Sequence, residues 1–168
     1  MKEKLCEIRI KESVDYTGKL NNHEDYLKML KVLEKKCEFI GITDDHEIVD
    51  EFRKDIIGSE KSYDIWGIWT SYERIIYYIK ASESLFEYLK KYETFSKYIT
   101  GEIRIIFNRE ETGDYVDLTN FGTSDIAFFD KEQNVLLRTN THEGFVSARK
   151  DIDQDFNNRC NRNYKTKL

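Results

Sequence analysis

Each of the three histidines is followed by a glutamate: His23-Glu24, His46-Glu47 and His142-Glu143. Imidazole titrates near neutral pH, and a neighbouring carboxylate fixes its tautomer, so such groups serve as general acids and bases. The first two pairs open helical patterns, where glutamate suits the positive end of the helix dipole. They need no catalytic explanation. The third pair sits in a loop, Thr141 to Gly144, after a series of strand-like segments. Adjacent strand residues point to opposite faces, so the partner expected for His142 is Ser124 or Asp125 from a neighbouring loop. No motif assigns a catalytic residue. The candidates are His142 as general acid or base, with Glu143 or Asp125 as its orienter. Asn120, Ser124 and His142, with Thr123 and Thr141 beside them, form a candidate binding end. The competing reading is local turn bonding, which the same residue types favour.

Asp44, Asp45 and Glu47, continued by Asp50 and Glu51, form a second cluster. Its binding reading is a surface that steers a basic protein partner; its ordinary reading is a solvated helix face.

Other chemistries fail on spacing. Gly18-Lys19 is followed by Leu20 with no glycine five residues earlier, so the phosphate-loop pattern is absent. Neither Gly-x-Ser-x-Gly nor Gly-x-Gly-x-x-Gly occurs. Asp151, Asp153 and Asp155 begin like a calcium loop, but Phe156 stands where glycine is needed and Arg162 where the bidentate glutamate is needed. These acids are expected to form a solvated face. Cys6, Cys37 and Cys160 have no Cys-x-x-Cys spacing, and free thiols suit a reducing compartment. No cofactor and no metal is expected.

The elements that must position these residues follow from periodicity. Residues 5–11 alternate as a half-buried strand. Asn22 caps a helix over about 23–36, with Tyr26, Met29 or Leu30, Leu33 and Cys37 inward. Phe39 to Ile42 is a short strand or connector. Asp44 and Glu47 spell a capping box for a helix ending at Gly58. The aromatic run 63–69 reads as a strand, paired with 74–80. Ser82 or Ser84 starts a third helix that Gly101 closes. Strands at 102–108, 115–119, 125–129 and 135–140, then 145–148, make a meander. Ile103, Ile105, Val116, Leu118, Ile126 and Phe128 are expected on one buried face.

The fold class expected is α+β: a mostly antiparallel sheet, with a four- to five-stranded C-terminal meander and about three helices on one face. A hydrophobic content of 39% in 168 residues suffices for one packed domain, residues 1–156. Residues 157–168 carry four cations and no acid, and read as a basic, frayed tail. The net charge is −5, so removing that +4 leaves −9 on the body, which repels nucleic-acid phosphate and anionic lipid. No apolar run approaches the ~18 residues of a membrane span. Abundant Lys, Asn, Ile and Tyr reflect AT-rich codon usage, as in a low-GC bacterium. The sequence therefore suggests a cytoplasmic protein-binding module, in profile like acidic immunity or antitoxin proteins that inhibit a basic partner. The alternatives are a small-ligand-binding protein or a hydrolytic enzyme built around His142.

Overall fold

The computed structural model describes residues 12–16, 19–20, 22–95, 124–140 and 145–166. The architecture is α+β. Among the described residues, β1 (Ser13–Asp15), β2 (Phe39–Thr43), β3 (Ile56–Ile65), β4 (Ile68–Lys80), β5 (Ile126–Phe129), β6 (Val135–Asn140) and β7 (Phe145–Arg149) form one sheet. Its order is β1-β7-β6-β5-β2-β4-β3, and every pair is antiparallel. The α-helices among the described residues are α1 (His23–Glu34), α2 (Glu47–Glu51), α3 (Glu83–Leu89) and α4 (Lys150–Thr166).

Helix α1 starts where Asn22 stops the backbone in an extended conformation and its side chain accepts the Asp25 N–H at 2.8 Å. Tyr26, Met29, Leu30 and Leu33 then fall on one stripe and are buried. They pack with Ile40 and Ile42 of β2, Ile126 and Phe128 of β5, Leu85 and Leu89 of α3, and Ile152 of α4. Each such side chain contributes about 1.5–3 kcal/mol by leaving water.

Strand alternation sends Phe39, Gly41 and Thr43 of β2, and Asp125, Ala127 and Phe129 at β5, to the opposite face. There a smaller core joins Phe39, Ile76, Tyr78, Ala127, Phe129 and Val135 to Ile65 and Trp66 from the tip of the β3–β4 hairpin. The hairpin bends across this face because its strands are unequal. Ser62 faces Arg74, yet Asp64 faces Trp69, so β4 carries extra residues at the bend. Thr70 Oγ1 lies 2.8 Å from the carbonyl oxygens of both Tyr63 and Tyr72 and holds that bulge.

Five expectations are corrected. The hairpin turn is at Trp66-Gly67, with φ of 51° and 86°, inside the run read as one continuous strand. Both values are what a tight two-residue hairpin needs, and Gly67 supplies one at no steric cost. The helix after β2 is short and capped by His46, whose Nδ1 accepts the Ile48 N–H at 3.2 Å; Asp44 is engaged elsewhere, and Gly58 lies within β3. Ser82 does cap α3, but the helix ends at Leu89, beyond which Tyr92 and Phe95 are buried in turns. Helix α4 continues through 157–166, because no glycine or proline interrupts it. The acids read as a solvated face are paired: Asp151 and Asp155 with Lys36, and Asp153 with the Tyr16 hydroxyl at 2.5 Å.

The meander holds for β5, β6 and β7, which are consecutive neighbours. Ile126 and Phe128 share the helix-side core. The strands expected at 5–11, 102–108 and 115–119, and the other four residues of that face, lie outside the described residues.

Candidate functional site

At the C-terminal end of β2 the chain turns sharply. Asp44 takes a φ of 64°, which aspartate tolerates better than most residues. Its N–H donates to the Ile75 carbonyl at 2.8 Å. This conformation aims the Asp44 carboxylate at Arg74 of β4. Arg74 is 3% exposed and is the hub of the region. Its Nη1 donates to Asp125 Oδ2 at 2.7 Å, and its Nη2 to Thr43 Oγ1 at 2.6 Å and Asp44 Oδ2 at 2.7 Å. Thr43 Oγ1 also accepts the Asp125 N–H at 2.7 Å. Burial alone would pull the guanidinium down, but the carboxylates of Asp44 and Asp125 outweigh it and raise it above its ordinary value.

The structure thus brings Asp44 together with Asp125, two candidates drawn from different parts of the sequence. Asp125 is 0% exposed, and Ser124 is buried beside it in the chain. Asp45 is exposed, with the Tyr77 hydroxyl 3.5 Å from its carboxylate. Glu47 accepts the Tyr92 hydroxyl at 2.6 Å and lies 3.3 Å from Lys91. The Tyr92 bond, more than Lys91, holds its carboxyl below the ordinary range. Asn120, Thr123, Thr141, His142 and Glu143 lie outside the described residues. His23 and His46 are placed structurally. His23 packs on Tyr26 with Nδ1 3.1 Å from the Glu93 carbonyl, and His46 caps α2 with its ring against Tyr92.

No family model, curated protein or solved structure matches this chain. The arrangement itself must therefore say what it can do. Among the described residues, no group of three or more His, Cys, Asp or Glu could hold a metal ion. Nor is any described helix long and apolar enough to cross a membrane. A groove of about 430 Å³ lies where the end of α1, the β5–β6 turn and the start of α4 meet. Its centre is a set of ion pairs, Arg149 with Asp130 and Asp151, and Lys36 with Asp151. Cys37 lines it, but burial pushes that thiol up to about 12, so it is no thiolate nucleophile at neutral pH.

What remains is a surface. Trp69 is 75% exposed, and its ring stacks on Tyr63 at 5.4 Å with 14° between planes. Tyr72 is 59% exposed and carries the Arg74 guanidinium 5.9 Å over its ring. Arg74 therefore joins the aromatic bend to the acidic turn. Sequence reasoning missed Arg74. Its signal was parity: it is in phase with Ile76 and Tyr78, hence on a face that becomes buried.

Proposed function

We propose that this chain is a protein-binding module that engages a basic protein partner through the bend of the β3–β4 hairpin and the adjoining acidic turn. The observation that carries this reading is the contrast between two tryptophans three residues apart. Trp66 is 1% exposed, while Trp69 keeps most of its surface in water beside Tyr63 and Tyr72. A cluster of exposed aromatics supplies the anchors that dominate interface energies. The exposed acids of the bend, Asp64 and Glu73, and of the acidic segment after β2, Asp45 and Glu51, suit a cationic partner. An acidic inhibitor of immunity or antitoxin type is one form such a module takes.

Photo-crosslinking in the native cell tests this. A crosslinking residue at position 69 is compared with one at position 31, an exposed helical site away from the bend. The expected result is a discrete adduct from 69 alone, containing a protein of high pI. Charge reversal by Asp45→Lys with Glu51→Lys should then slow association with that protein and flatten its salt dependence. Equal labelling from both positions, or none from 69, would overturn the reading.

A further inference from the structure

We infer that the hairpin bend reads arginine: the open side of the Tyr63–Trp69 stack receives a guanidinium group of the partner, with Asp64 as its counter-charge. This rests on the reading above and deepens it. Two stacked rings leave a flat π-surface, and indole is the strongest aromatic acceptor for a cation. Asp64 is the cross-strand neighbour of Trp69 and is exposed; its Oδ1 accepts the Gly67 N–H at 2.7 Å. The carboxylate is thus fixed by the turn it closes, where it also feels the charge of Arg138, whose guanidinium donates to the Trp66 carbonyl; an incoming guanidinium shares it with Arg138. β3 is the outermost strand on its side among the described residues, so a partner can reach the stack from the edge. The chain already builds such an arrangement internally, since the Arg74 guanidinium lies over Tyr72 while bonded to Asp44. That contact engages Tyr72 from within and leaves Trp69 as the outward platform. A planar, weakly hydrated guanidinium stacks on indole, whereas a compact ammonium holds its water, so arginine and lysine should not be equivalent here.

The test uses oligo-arginine, oligo-lysine and oligo-citrulline peptides of one length, titrated at low salt against the whole chain and followed by isothermal titration calorimetry. Oligo-arginine should bind about five- to tenfold more tightly than oligo-lysine, and neutral oligo-citrulline should bind least. Trp69→Leu should erase the arginine preference and leave the melting temperature unchanged. Equal affinity for the two cationic peptides, a preference that survives Trp69→Leu, or binding of neither peptide would each overturn the inference. The crosslinking result decides the broader reading separately. A basic partner captured at position 69 by a bend with no arginine preference keeps the module and removes the stack.

Discussion

Gly41 leaves room for one indole. A Cβ placed there would meet Trp66 Cη2 at 2.5 Å and Cζ3 at 2.9 Å. Gly41→Ala should therefore lift the hairpin tip and cost about 1–3 kcal/mol, as overpacking does. Chemical denaturation measures it, and Trp66→Leu in the same chain should recover part of the loss. Additive effects would show that the two do not touch in solution. Arg74 behaves differently, because removing it takes a guanidinium away from the buried Asp125 carboxylate. Arg74→Ala should cost about 3–5 kcal/mol, whereas replacing Arg74 and Asp125 together by apolar residues should cost much less. Equal losses in the single and double variants would refute the hub. Neither residue was legible as a site. Asp44 and Glu47 spelled a capping box, but the box is a local rule and Arg74 is a distant competitor. A carboxylate that neutralises a buried guanidinium gains more than one that caps a five-residue helix.

Elements were legible where their causes are local. Asn22, two first-turn acids and a four-residue stripe define α1 without help from the rest of the chain. Strands β5, β6 and β7 follow from alternation and short turns. The β3–β4 hairpin was misplaced because Trp66 at positive φ is not a residue from which a turn is read, and Gly67 sat inside an apolar run. Tertiary burial of Trp66 stabilises what local propensity does not. The bend should depend on Thr70 in the same way. Thr70→Val keeps the shape but removes the hydroxyl shared between Tyr63 and Tyr72, at a cost of about 1 kcal/mol. Amide exchange over residues 62–72 should quicken while α1 stays protected. Uniform exchange changes across both segments would count against a local role.

At the scale of the molecule, charge ties the C-terminal helix to the sheet. Arg149 first, then Lys36, holds the Asp151 carboxyl well below the usual carboxylate range. Burial raises Asp130, but Arg149 and the backbone N–H groups of Asn134 and Glu132 outweigh it and leave it lowered. Glu47 is lowered as well. A depressed folded-state pKa contributes stability in full above the unfolded value, about 4 for carboxylates, and loses it as pH falls through the folded value. Stability should therefore vary little between about pH 7 and 5 and fall steeply below about pH 4. Asp151→Asn should be less stable at neutral pH with a shallower acid slope, measured by urea denaturation across that range. An unchanged slope would remove Asp151 from the account.

The strand order also bears on how the chain is made. Strand β2 lies between β4, which follows it closely in sequence, and β5, which comes some eighty residues later. A ribosome adding ~5–20 residues per second leaves one edge of β2 without its hydrogen-bonding partner for on the order of ten seconds. Strand β1 waits longer still, since it pairs with β7. The nascent protein therefore cannot complete its sheet from the N-terminus forward. Until its last third emerges, it exposes a sticky strand edge that nascent-chain chaperones are suited to shield.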